Sequence, residues 1–275
     1  MSDPRDRFFE PVAHSSVTAH VVVQADGLIA GTDAVPASMA EIGVEVLRAA
    51  AEGTRVTAGT VVVEILGSPK QIALAEERLV GLLAKPSGIA TATAAFVERA
   101  GPRMRVVSGA WKKLPFSQKE MIRKAILVGG AMPRIAEWPF LYIDKNFVRM
   151  QGGLAATLES AGRFEGWTRI VQVRGEYGDI AAEAVLAARA GATIVFVDSG
   201  EPADAAAAVA ALGREGLRHR VALAFAGGVQ LGDIEALAAM GVDIVDVGRP
   251  IVDAPLLDIN LDVVHVEARI ARNEP

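Results

Sequence analysis

From Met104 onward, short apolar runs alternate with amphipathic stretches, and this alternation constrains the fold more than any other feature of the chain. Runs at Met104–Val107, Phe140–Ile143, Arg169–Val173, Thr193–Val197, Val221–Phe225 and Asp243–Val247 read as strands. Helical spacing falls at Ser117–Val128, Leu154–Ala161, Asp179–Arg189, Pro202–Leu212 and Leu231–Met240. Apolar strands that alternate with amphipathic helices belong to a parallel sheet with both faces covered. Six such strands predict an α/β fold with a barrel-like or open parallel arrangement over residues 101–256.

Residues 1–100 lack that alternation. About the first 15 residues read as a loose arm, followed by a β-branched strand at Thr18–Gln24 that enters the turn Asp26-Gly27. Ala37–Ala51 carries helical spacing of Met39, Ile42, Val46 and Leu47. Arg55–Ile65 reads as two strands around Ala58-Gly59. Ser68 reads as the cap of a helix with Pro69 in its first turn, ending at Pro86, and Ser87-Gly88 opens a second helix. Beyond the parallel region, Leu257–Val266 alternates apolar and polar residues. This predicts a strand with one wet face that rejoins the first domain's sheet, so 257–275 is assigned to the domain formed by 1–100.

Composition narrows the function classes. The chain has 275 residues, is 51% hydrophobic and carries a net charge of −5, which supports a large core and argues against nucleic acid as partner. The absence of cysteine excludes disulfides, zinc thiolates and a thiol nucleophile. The start, Met1 to Arg7, has no apolar leader, and no segment reads as long enough to span a membrane, so a cytoplasmic protein without membrane contact is expected. None of His14, His20, His219 and His265 lies at the end of a predicted barrel strand, so no histidine general base is expected.

Two glycine turns close the last two predicted strands: Ala226-Gly227-Gly228-Val229 and Val247-Gly248-Arg249. Glycine lets backbone N–H groups approach an anion, and loops after the last strands of an α/β barrel commonly bind phosphate. Tight turning alone would also call for glycine.

Several stretches together resemble one family. Ser87-Gly-Ile-Ala-Thr91, Gly129-Gly130, Asp198, the two glycine turns and Ala254-Pro-Leu-Leu-Asp-Ile-Asn-Leu-Asp262 look like quinolinate phosphoribosyltransferase, also called nicotinate-nucleotide pyrophosphorylase. Lys124-Ala-Ile-Leu-Val-Gly-Gly-Ala-Met-Pro133 is similar to a sister group, the ModD pyrophosphorylase-like proteins. The resemblance runs from about Thr18 to Val263. It implies an N-terminal α/β sandwich, an incomplete α/β barrel, and a homodimer with shared active sites. The implied reaction moves ribose 5-phosphate from phosphoribosyl pyrophosphate to a pyridine dicarboxylate, with magnesium, and then decarboxylates the product.

That resemblance also assigns candidate residues. Ser108-Gly-Ala-Trp-Lys-Lys-Leu-Pro115 stands where the family carries Thr-Arg-Lys-Thr, so Lys112 and Lys113 are the matching cations and the arginine fork is absent. Arg134 remains from an Asn-His-Arg, and Lys145 lies one position from the expected lysine. Gln172 falls near an expected glutamate, with Glu176 downstream as its substitute. Asp198 matches the magnesium-side aspartate, and its other reading is a turn residue. Gly227, Gly228, Gly248 and Arg249 form the phosphate end. Glu77 stands where the family offers a neighbouring subunit an arginine, with Arg78 adjacent. The phosphate end is therefore better kept than the end that reads quinolinate, and an altered aromatic nitrogen heterocycle is expected as acceptor. Trp111, Trp138, Phe140 and Phe147 are placed near the mouth, for stacking or for packing. Two further readings stay open: a different barrel enzyme acting on a phosphometabolite, and a non-catalytic binder of a phosphorylated ligand.

Overall fold

The computed structural model describes residues 3–268, so the end of the 257–275 segment and the first two residues of the arm lie outside the described residues. In chain order the strands are β1 (Ser16–Val23), β2 (Gly27–Leu28), β3 (Glu45–Ala49), β4 (Arg55–Val56) and β5 (Val61–Gly67). There follow β6 (Arg105–Val107), β7 (Phe140–Ile143), β8 (Thr168–Val173), β9 (Ile194–Val197), β10 (Ala222–Ala226) and β11 (Ile244–Asp246), and finally β12 (Ile259–Glu267). The chain divides into two units. One runs to Ala92, takes in Glu120–Gly129 and resumes at Ala254; the other comprises Thr93–Lys119 and Gly130–Asp253.

In the first unit, β12, β1, β5 and β3 form an antiparallel sheet in that order. Every second residue of β1 is buried, which turns Val17, Ala19, Val21 and Val23 onto the core. There they meet Met39, Ile65, Leu79 and Leu83, all fully buried. Burying each large apolar side chain contributes about 1.5–3 kcal/mol. The predicted return strand is β12, paired with β1 from Ser16↔Glu267 to Val23↔Ile259.

Four expectations for this region need correction. The arm is not loose: Pro4–Phe8 is helical, capped by Asp3, with Arg5 paired to Glu77 and Lys70 to Asp6. Ala37–Ala51 is not one helix, because only Val35–Ala40 is helical and β3 follows. Almost all of β3 is exposed, so no period-2 burial marks it as a strand. Nor does Pro86 end a helix: Pro69–Ala100 is continuous. A proline N cannot bond the carbonyl four residues back. Gly31, with φ 93°, lies against that carbonyl of Leu82, where a β-carbon would come within 2.4 Å of the oxygen. Finally, the unbroken helix and its extension, Pro69–Arg103, is long and apolar enough to cross a membrane, contrary to the expectation that no segment is; 56% of its most apolar stretch is buried within the protein.

The Ser87-Gly88 pair has a structural role in this unit. Ser87 Oγ accepts from Ala30 N at 2.9 Å and donates to Ala30 O, while Thr91 Oγ1 accepts from Leu28 N at 2.9 Å. Gly88 packs so close to the Pro255 carbonyl that a β-carbon would stand 1.9 Å from its oxygen.

The second unit holds the six predicted strands as one parallel sheet, ordered β6-β11-β10-β9-β8-β7. Met132 bridges in parallel to Val107 beside β6, and β6 and β7 do not pair with each other, so the barrel is incomplete. Ile170, Val195, Leu223 and Ile244 are fully buried, as two covered faces require. The predicted helices are found at Leu154–Ala161, Ile180–Arg189, Pro202–Arg214 and Ile234–Ala239. Two helices were not expected, Arg249–Val252 and Lys145–Met150, the latter capped by Asp144, whose Oδ1 accepts from Asn146 N and Phe147 N.

Candidate functional site

A parallel sheet sends the C-terminal ends of all its strands to one side, and the loops there surround a cavity of about 340 Å³. Two glycine turns form one wall. Gly227 has φ 113° and Gly228 φ 74°, a region L side chains rarely adopt. A β-carbon on Gly227 would also stand 2.4 Å from Gly200 Cα. Gly248 differs. Its φ is −89°, and a β-carbon there would meet only Ala110 Cβ, at 3.7 Å. Arg249 follows it, with a side chain 91% exposed and 3.5 Å from Asp253.

The rest of the lining is built from side chains. After β6 the chain turns through Ala110–Lys113, which brings Lys112 and Lys113 to the cavity. Lys112 Nζ lies 6.0 Å from the centre of the Tyr142 ring. Tyr142 in turn meets Phe196 edge to face at 6.1 Å, and both line the cavity. Asp198, at the end of β9, accepts from Arg174 Nη1 at 2.8 Å and from the Gln172 amide. Asp246, at the end of β11, accepts from Gly109 N at 3.0 Å through Oδ1. Burial pushes its carboxyl above the usual aspartate range and Asp198 adds to this, while the Gly109 N–H, Lys112 and Lys113 oppose it. Burial also raises the Tyr142 phenol, with Asp246, Asp198 and Asp144 acting in the same sense.

The cavity brings together Lys112, Lys113, Asp198, Gly227, Gly228, Gly248 and Arg249 among the sequence-predicted residues. It leaves out three. Arg134 stacks over the Trp111 ring at 5.4 Å, and that indole donates to Pro133 O at 2.6 Å. Lys145 and Glu176 border a separate, water-sized hollow, and Glu176 receives two nitrogens of Arg149 at 2.8–3.2 Å. Trp138 and Phe140 are not at the mouth. They sit at the opposite end, where β7 begins, with Trp138 packed on Trp167 at 4.9 Å.

Sequence reasoning missed Asp246, Tyr142, Phe196 and Glu183. Asp246 had a signal: like Asp198, it is an acid at the end of an apolar strand, directly before a turn. Glu183 had a weaker one, an acid in the first turn of a helix after a glycine-rich loop. It is 5% exposed, and its carboxylate accepts from Arg174 N, Gly175 N and Tyr177 N at 2.7–3.0 Å. The loop that carries Arg174 to Asp198 is thereby fixed from beneath.

An incomplete parallel α/β barrel with a mixed-charge cavity at its strand ends, preceded by an antiparallel sheet unit, defines the class of protein. Residues 6–87 match the quinolinate phosphoribosyl transferase N-terminal domain and residues 89–262 its C-terminal domain. The chain belongs to the quinolinate phosphoribosyl transferase family. A protein of Archaeoglobus fulgidus described as a probable carboxylating nicotinate-nucleotide pyrophosphorylase is 31% identical over 249 residues, 90% of this chain and 94% of that one. A Methanothermobacter thermautotrophicus protein of the same description is 27% identical over 252 residues, 90% of this chain and 88% of its own. Among solved structures, the nicotinate-nucleotide pyrophosphorylase of Pyrococcus furiosus superposes with a TM-score of 0.83 at 23% identity, covering 96% of this chain and 73% of that one.

Proposed function

We propose that this chain transfers ribose 5-phosphate from phosphoribosyl pyrophosphate to an aromatic nitrogen heterocycle other than quinolinate. The observation that carries this reading is the one cavity lined together by paired lysines, two glycine turns, Asp198 and Asp246. Such a reaction develops positive charge on the sugar and negative charge on the departing diphosphate. Fixed cations beside the leaving group and N–H donors beside the 5-phosphate are the groups that stabilise it. Lys112 and Lys113 would hold the diphosphate, and the Gly227-Gly228 and Gly248-Arg249 turns the 5-phosphate. The family relationship, with relatives named as nicotinate-nucleotide pyrophosphorylases, supports transfer of this type.

Magnesium fits as an ion brought in on the diphosphate. Among the described residues no three acidic, histidine or cysteine groups cluster into a cage. Magnesium commonly keeps its waters and takes one or two carboxylates plus substrate phosphate oxygens. Asp198 is the residue that would hold it, sharing its carboxylate with Arg174. When bound, the ion supplies neutralising charge for the diphosphate.

The acceptor end supports a departure from quinolinate. The family's arginine, histidine and glutamate positions are changed, and two carboxylates line the cavity that a dicarboxylate would have to enter. Glu77, which replaces an arginine offered to a neighbouring subunit, is occupied by Arg5. Assembly as a homodimer belongs to the same reading and is checked by the mass from light scattering. Calorimetric titration tests the whole: micromolar binding of phosphoribosyl pyrophosphate with magnesium is expected. No binding of it or of ribose 5-phosphate overturns the proposal, and robust carboxylating turnover of quinolinate overturns its acceptor clause.

A further inference from the structure

Two carboxylates line the cavity, and they are not equivalent. Asp198 is matched by the Arg174 guanidinium at 2.8 Å and by the Gln172 amide. Asp246 makes no ion pair among the described residues; its Oδ1 takes the Gly109 N–H, and Oδ2 has no hydrogen-bond partner among them. The site is shaped to keep it there. A β-carbon on Gly109 would stand 3.3 Å from Oδ2, closer than nearly all real contacts. Beside it, the Tyr142 ring, met edge to face by Phe196, gives the cavity an aromatic surface on which a heterocycle can pack. The groups that face Asp246 are Lys112, Lys113, Asp198 and Tyr142.

A pyridine nitrogen carries no hydrogen. It attacks the sugar through its lone pair, needs no base, and gains nothing from an anionic neighbour that repels its carboxylates. An azole or purine N–H is different, since it must lose its proton as the glycosidic bond forms. We infer that Asp246 is the general base for an acceptor that carries a ring N–H, so that the substrate is a neutral N–H heterocycle and not a pyridine carboxylate. This rests on the phosphoribosyl-transfer reading above.

The ring nitrogen forms its bond to C1′ while the C1′–O bond to diphosphate breaks, and that electron pair leaves with the diphosphate. The N–H proton passes to Asp246 Oδ2, and the glycosylated heterocycle leaves neutral. No oxidant or second reactant is needed. A carboxyl whose proton affinity is raised by burial is a stronger base than an exposed one.

The test uses Asp246→Asn, an isosteric change whose side-chain oxygen can still accept from Gly109 N. Calorimetry with phosphoribosyl pyrophosphate and magnesium should give a dissociation constant within about threefold of the unchanged protein, which also reports an intact site. Diphosphate release is then followed with benzimidazole and adenine as N–H probes, and with quinolinate and nicotinate as pyridines. Release with an N–H probe and none above background with the pyridines is expected. Asp246→Asn should lower kcat on that probe about 100-fold or more and remove the acidic limb of its pH profile. Turnover of the pyridines alone, donor binding without release by either N–H probe, or a variant that keeps more than a tenth of the rate would overturn the inference and leave the transferase reading standing. Failure of the unchanged protein to bind the donor would instead overturn the transferase reading, and this inference with it.

Discussion

Part of the cavity lining, the backbone wall, is made of glycine turns and part, the side-chain wall, of side chains, and the two are specified in different ways. At Gly227 the chain takes φ 113° and passes so close to Gly200 that no β-carbon fits, so the sequence has one residue to choose from. At Lys112, Lys113, Asp198 and Asp246 the strand ends fix only where a side chain starts. No left-handed φ restricts the residue type at these positions. The backbone wall therefore holds the part of a ligand that stays the same, and the side-chain wall the part that can be exchanged. A phosphate is the first kind of group and an acceptor ring the second.

The sharpest way to break this division is Gly227→Ala. Strain of about 1–3 kcal/mol from the left-handed backbone is expected, with more from the approach to Gly200. The melting temperature should fall and donor binding should drop about 100-fold or more. A variant with normal melting and normal donor affinity would show that the turn neither constrains the fold nor holds the phosphate. Among the side chains, Lys113→Ala should leave melting unchanged but reduce diphosphate release about 10- to 100-fold, the worth of one charged hydrogen bond. An unaffected rate would return that lysine to the solvent.

Glu183→Gln tests what lies beneath the side-chain wall. The buried carboxylate serves three backbone N–H groups, and the neutral amide serves them less well. A loss of about 1–3 kcal/mol in urea unfolding is expected, with donor affinity weakened only a few-fold through Arg174. If stability is unchanged, the Arg174–Tyr177 loop is held by something else.

The division also accounts for what was legible in the chain. The strands of the parallel sheet are short, mostly apolar runs that alternate with helices, so Phe140–Ile143 and Leu154–Ala161 could be placed to the residue. The glycine turns were legible because glycine is a backbone statement. The first unit was harder. β3 is almost wholly exposed and so carries no pattern, and Pro86 stays within a continuous helix, with Gly31 packed against the carbonyl it frees. The side-chain wall was half legible. A resemblance finds residues where a family already has them, which marked Lys112, Lys113 and Asp198 but passed over Asp246. It also named Arg134, Lys145 and Glu176, which the fold sends to Trp111, to a side hollow and to Arg149.

Asp246 gives the side-chain wall a pH signature. Its carboxyl is raised in the folded protein, so between the ordinary value of 3.8 and the folded value the folded state binds more protons than the unfolded one. Stability then falls as pH rises through that window, and the penalty is fully present above it. Asp246→Asn removes the titrating group. The variant should be at least as stable as the unchanged protein at pH 7, and the difference should vanish below about pH 3.8. A variant less stable at pH 7 would mean that the Lys112 and Lys113 charges outweigh burial.

The smallest effect on the fold, and the cleanest on the comparison, is expected at Gly248→Ala. This glycine belongs to the glycine turns by sequence, yet its φ of −89° is not left-handed and its nearest neighbour leaves room for a methyl, so only its ψ of −103° departs from the usual regions. A loss of at most about 1 kcal/mol is expected from that ψ, smaller than at Gly227. What the methyl does occupy is cavity space. If donor affinity falls while melting stays fixed, the absence of a side chain at Gly248 serves the ligand and not the turn. If both stay fixed, the backbone wall ends at Gly228 and the phosphate is held by one turn. If melting falls as at Gly227, the two turns are constrained alike and the distinction drawn from their geometry fails.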